Sequence, residues 1–149
     1  MRGLRKLKRC LGYNFYFQIS NYLNMDLYRE EILEHWQNPQ NWGEISAADF
    51  IIDQINPLCG DQVTFYFKIK KGKIGEVSFT GKGCAISIAS ASILSETILN
   101  KPVSALAKIT GRDVLRMIGG PVGPARLKCA FLALEAVKKL GGDERLKTD

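Results

Sequence analysis

Val63, Phe65, Phe67 and Ile69 alternate with Thr64, Tyr66, Lys68 and Lys70. A period of two puts four apolar side chains on one face of a strand and the polar or amphipathic ones on the other. Lys71-Gly72-Lys73 then turns the chain back into a second apolar run, Ile74 to Thr80. A helix cannot satisfy that alternation, so this region predicts an antiparallel hairpin with one face to be covered. Phe50 to Ile55, apolar and β-branched, predicts a third strand ahead of it.

The cover comes afterwards in the chain. Ala85 to Leu99 carries one charge, Glu96, and many small residues, which predicts a helix buried on all sides. Pro102 starts a short helix, and Thr110-Gly-Arg-Asp113 offers a capping box for Val114 to Ile118. Gly119-Gly-Pro-Val-Gly-Pro124 breaks the chain before a last helix over residues 125–140, with a Glu135–Lys139 pair at i, i+4. Upstream, Asp26 to Trp36 predicts a helix with an apolar stripe of Tyr28, Ile32 and Trp36 and Leu33 beside it. Asn38-Pro39 ends it, and Asn41-Trp-Gly continues as a turn. Strands first and helices after give an α+β domain, not a βαβ unit.

The 149 residues, 46% hydrophobic, are the size of one domain and exclude global disorder. The most apolar stretch, Cys84 to Leu94, is cut by Ser87, Ser90 and Ser92 and is too short to span a membrane. The formal charge of +6 is uneven: residues 1–24 hold five basic residues and no acidic one, leaving 16 basic against 15 acidic. We therefore divide the chain into a basic head (1–24), a domain (25–140) and a charged tail (141–149). The head is a poor secretory signal, because Asn14 and Gln18 break its apolar part and no cleavage site follows. The plainest reading makes Met25 the true start; a targeting segment or an anion-binding arm are the others. A nearly neutral body gives no electrostatic case for nucleic acid. The lysines at 68, 70, 71, 73 and 82 are either a docking patch or a solvated face that discourages edge pairing.

Cysteine carries the chemistry. Cys59, Cys84 and Cys129 are separated by 25 and 45 residues, and each falls at a predicted element boundary. There is no C-x-x-C, and three thiols cannot all pair in disulfides. Without a secretory signal they are reduced, and a cytoplasmic location is expected. They are either small buried hydrophobes or ligands. Asp61 lies two residues from Cys59, and Gly60 between them frees the backbone to turn both toward one point. Asp61 alternatively serves the turn itself. Three thiolates and a carboxylate would make a tetrahedral site for zinc or iron(II), with the carboxylate the more exchangeable ligand. Cys10 belongs to neither. The single histidine, His35, rules out any site with two imidazoles.

Four segments carry a resemblance: His35-Trp-Gln-Asn-Pro-Gln-Asn-Trp-Gly43, Asn56-Pro-Leu-Cys-Gly-Asp61, Gly81-Lys-Gly-Cys-Ala-Ile-Ser-Ile-Ala-Ser-Ala-Ser92 and Pro124-Ala-Arg-Leu-Lys-Cys129. With them the chain resembles the IscU/SufU/NifU-type iron–sulfur cluster assembly scaffolds. The resemblance implies a three-stranded antiparallel sheet packed against helices, with the cysteines converging at one exposed end. It implies Cys59, Asp61, Cys84 and Cys129 as the ligands of iron or a transient [2Fe-2S] cluster, or of zinc in the same site. It implies Cys129 or Cys59 as the persulfide acceptor, a cysteine desulfurase as sulfur donor, and apo iron–sulfur or carrier proteins as recipients.

Two features divide the family likeness. Lys128 stands before the third cysteine, as in SufU-type members; it either assists by holding a thiolate or persulfide and lowering the pKa of Cys129, or is an ordinary exposed lysine. The alternative function is thus a zinc-dependent sulfurtransferase. Yet the 45-residue spacing leaves no room for the SufU-type insertion. The Leu-Pro-Pro-Val-Lys segment of IscU is replaced by Gly119-Gly-Pro-Val-Gly-Pro124, so a dedicated Hsp70-type chaperone is not expected. His35 is expected to be structural.

Overall fold

Helix α1 occupies residues 27–37 of a computed structural model that describes residues 27–143. The readings of the head, of Asp26 and of residues 144–149 lie outside the described residues. Ile32 of α1 is buried, and the Tyr28 ring packs so closely over Gly120 that a Cβ there would meet Tyr28 Cγ at 2.5 Å. Trp36 departs from the predicted stripe: it is 45% exposed, with Leu33 beside it. The end of α1 is tied down by polar contacts instead, described below.

The sheet is an antiparallel meander of β1 (Phe50–Ile55), β2 (Gln62–Lys70) and β3 (Lys73–Lys82), with β2 in the middle. The alternation in β2 is realised, with Val63, Phe65 and Phe67 fully buried. Phe65 stacks on Phe67 at 5.7 Å and on its neighbour Phe79 at 5.6 Å between ring centroids. Each such side chain contributes about 1.5–3 kcal/mol by leaving water. β1 alternates as well: as an edge strand it turns Ile51 and Ile55 outward. Asn41–Gly43 does more than turn. Phe79 N–H donates to Asn41 O at 3.0 Å and Gly43 N–H to Phe79 O at 2.9 Å, so the segment covers part of the free edge of β3.

The helices α2 (Ala85–Ile98), α3 (Val103–Leu106), α4 (Gly111–Ile118) and α5 (Leu127–Gly141) follow, with a 3-10 turn at Pro124–Arg126 before α5. Together they bear out the α+β class. α2 and α5 pack on each other; α2 also meets β3 and α5 meets β1 and β2. Ten residues of α2 are buried, Ser87, Ser90, Ser92 and Ser95 among them. The hydroxyls of Ser92 and Ser95 are the anchor for α1 and its following loop. Ser92 Oγ lies 2.7 Å from His35 Nδ1 and accepts from Gln40 N–H at 2.8 Å. Ser95 Oγ accepts from Asn41 Nδ2 at 3.0 Å. The capping box of α4 forms as predicted, Thr110 and Asp113 bonding each other's backbone N–H. The Glu135–Lys139 pair does not form. Glu135 Oε2 accepts from Gln54 Nε2 at 2.9 Å, because β1 crosses α5 there.

Candidate metal centre

The β1–β2 loop delivers two of the candidate ligands. Asn56, buried, holds this loop in shape: its O accepts from Gly60 N–H at 2.8 Å, its N–H donates to Asp61 O at 2.8 Å, and its Oδ1 accepts from Leu58 N–H at 3.1 Å. Gly60 sits at φ +76°, a conformation that a side chain disfavours. The result projects Cys59 outward and Asp61 inward. Cys84 is the N-cap residue of α2. Cys129 lies in the first turn of α5 and is buried.

Folding brings these positions together from three segments. Cys59 Sγ and Cys129 Sγ are 4.0 Å apart. Those two thiols and a carboxylate oxygen of Asp61 all lie within 4.8 Å of one another, a spacing at which one ion can reach all three. Cys84 Sγ does not lie within that distance of all three, but stands next to them, 3.6 Å from Ser87 Oγ and close enough to Cys129 to affect its titration.

Ser87 is the residue that sequence reasoning missed. Its Oγ donates to Asp61 Oδ2 at 2.6 Å, inside the protein. The signal was present as Cys84-Ala-Ile-Ser87, one turn into a helix, but nothing local names its partner 26 residues away. Gly83 completes the enclosure: a Cβ there would come within 2.8 Å of Asp61 Cγ. Asp61 is therefore not a simple turn residue. Its carboxylate is 7% exposed. Burial pushes its pKa up, but hydrogen bonds from Ser87, Cys129, Cys59 and the Cys84 backbone together outweigh burial, so the group stays below the ordinary carboxylate range.

The same geometry acts oppositely on Cys129. Burial, the charge of Cys84 and the acceptor Asp61 push its thiol up to about 12. Lys128 was expected to lower it, but Lys128 is exposed and the groups around the thiol decide. Each donor is thus poised for a cation: Asp61 is already ionised, and a divalent ion would displace the Cys129 proton. Two sulfurs and a hard oxygen suit zinc or iron(II). His35 lies outside the cluster, engaged with Ser92, as expected of a structural residue.

The family model described as NifU-like N terminal domain matches residues 27–141. The chain belongs to that family. Among its relatives, the iron-sulfur cluster assembly scaffold protein IscU 1 of Archaeoglobus fulgidus is 34% identical over 113 residues, 76% of this chain and 73% of the archaeal protein. The zinc-dependent sulfurtransferase SufU of Bacillus subtilis is 33% identical over 134 residues, covering 78% of this chain and 90% of its own. In structure, the putative iron-sulfur cluster assembly scaffold protein for the SUF system from Fervidobacterium islandicum superposes with a TM-score of 0.62 at 26% identity, covering 74% of this chain and 93% of that one. The relatives of this chain thus include both kinds of protein that the sequence resembles. Among the described residues no helix is long and apolar enough to cross a membrane.

Proposed function

We propose that this protein is an iron–sulfur cluster assembly scaffold, working in the cytoplasm. It takes sulfur from a cysteine desulfurase, holds iron and a transient [2Fe-2S] cluster as cargo, and passes the cluster to apo-proteins or carriers. The observation that carries this reading is the meeting of Cys59, Asp61 and Cys129 within 4.8 Å, with Cys59 exposed and Cys84 adjacent. Cys59 is the better first acceptor, because its thiol is exposed while that of Cys129 is buried and held protonated. Its thiolate attacks the outer sulfur of the donor persulfide; the S–S bond breaks and the donor cysteine leaves as a thiolate. Asp61, bonded by Ser87, is the exchangeable ligand through which the cargo leaves.

One observation favours a second reading, a zinc-dependent sulfurtransferase: a compact set of two thiols and one carboxylate, without histidine, also fits a single resident ion. Cys59, Asp61, Cys84 and Cys129 would hold zinc, which supplies Lewis-acid stabilisation of thiolates when bound. Lys128 would steady the persulfide by its charge. Anaerobic reconstitution with ferrous iron and sulfide, followed by absorbance and metal counting, separates the two. A chromophore that needs all three cysteines is the expected result. Tight zinc, no cluster and rapid persulfide turnover would overturn the scaffold reading.

A further inference from the structure

The lysines of the β2–β3 hairpin are not used by the cysteine chemistry, and edge protection alone does not account for how they are held at the tip. β1 pairs β2 only over residues 62–67, so Lys68 and Lys70 run beyond it and are paired by β3 alone. Lys70 and Lys73 are direct cross-strand partners, an arrangement of like charges that works against the hairpin. Lys71 sits at φ +52° and Gly72 at φ +74°, a two-residue turn in which asparagine is the favoured first residue and lysine is not. The tip is also rigid. Ile74 N–H donates to Lys101 O at 2.9 Å, Asn100 N–H to Ile74 O at 2.8 Å and Val103 N–H to Gly72 O at 2.9 Å. These bonds bring Lys101 alongside. The stem of Lys70 is laid over Gly75, where a Cβ would meet its Cγ at 2.9 Å. Lys70, Lys71, Lys73 and Lys101 are all exposed, and none of them makes an ion pair among the described residues.

We propose that this tip is a docking surface for the acidic face of a protein partner. Four unpaired ammonium groups on a fixed platform supply charge complementarity to carboxylates, which steers and orients an encounter. The tip carries no arginine, the residue suited to bidentate phosphate recognition, and no aromatic ring for stacking bases. Among the described residues the large exposed apolar side chains lie away from the tip, which offers no apolar anchor for a membrane. The nine residues of β2 separate the tip from the β1–β2 loop by about 26 Å. A partner held there leaves the cysteines free for exchange. The inference stands whichever cargo the cysteines carry.

Fluorescence anisotropy with labelled poly-L-glutamate tests it on the full chain. Two triple variants lose equal charge: Lys70→Ser, Lys71→Asn, Lys73→Ser at the tip, and Arg29→Ser, Lys138→Ser, Lys139→Ser elsewhere. The tip variant is expected to bind about tenfold more weakly at low salt and the control variant nearly as the parent. Lys71→Asn alone should raise the melting temperature while weakening binding about threefold, showing that the lysine is kept for its charge and not for the turn. Equal losses in the two triple variants, or an unchanged affinity in Lys71→Asn, overturn the proposal. So does tip-dependent binding to phosphatidylserine vesicles or duplex DNA that exceeds binding to polyglutamate.

Discussion

Ser87→Ala removes one hydroxyl and leaves the Asp61 carboxylate, 7% exposed, without its 2.6 Å hydrogen bond. Ser87 itself is fully buried, so water cannot reach in without local opening. A hydrogen bond to a charged group contributes about 1.5–3 kcal/mol. Metal-free variant should therefore unfold at a urea midpoint about 1 M lower than the parent at pH 7. The difference must depend on pH with a definite sign. Asp61 titrates below its ordinary value in the folded parent, so its contribution is present above the unfolded carboxyl pKa of about 3.9. It is lost as pH falls through the folded value. In the variant the carboxyl titrates higher, and the gap between the two proteins closes as pH falls through the acid range in which the carboxyl takes up its proton. Equal midpoints at pH 7, or a gap that is the same at low pH, would refute the assignment of Ser87 as a principal donor among the groups that keep Asp61 ionised.

Three further outcomes are expected. In a Cys10→Ser background without metal, iodoacetamide at pH 8 should modify Cys59 first and Cys129 last, because one thiol is exposed and the other is buried with its pKa near 12; peptide mass spectrometry reads the order, and early modification of Cys129 contradicts it. Asp61→Ala should lengthen the life of a reconstituted cluster, followed by the decay of its absorbance, since the exchangeable ligand is gone; faster decay than in the parent counts against that role. Ser92→Ala should cost about 1 kcal/mol by cutting the bonds to His35 and Gln40, with zinc stoichiometry unchanged. A lost zinc equivalent would place His35 with the metal after all.

Much of the fold was legible because its signals are local. The alternation of Val63, Phe65 and Phe67 needs only neighbouring residues to define two faces. Thr110 and Asp113 are three residues apart and bond within one turn. The junction placement of Cys59, Cys84 and Cys129 follows from the elements between them. Where local signals misled, a partner distant in sequence had decided. Trp36 fits a helical stripe, yet α1 is held by His35 on Ser92 and its tryptophan faces out. Glu135 is spaced for Lys139, yet Gln54 of a distant strand takes it.

The candidate site divides in the same way. The sequence alone determined which donors exist: three thiols at element ends, a carboxylate two residues from one of them, and a single histidine. Only the tertiary structure decided that Cys59, Asp61 and Cys129 share one point, that Ser87 holds the carboxylate, and that Cys129 is the protonated partner and not the activated one. The reason is physical. Residue type and short-range spacing set what a side chain can do, but proximity and burial arise where α2, α5 and the β1–β2 loop pack, and these set the charge each group carries.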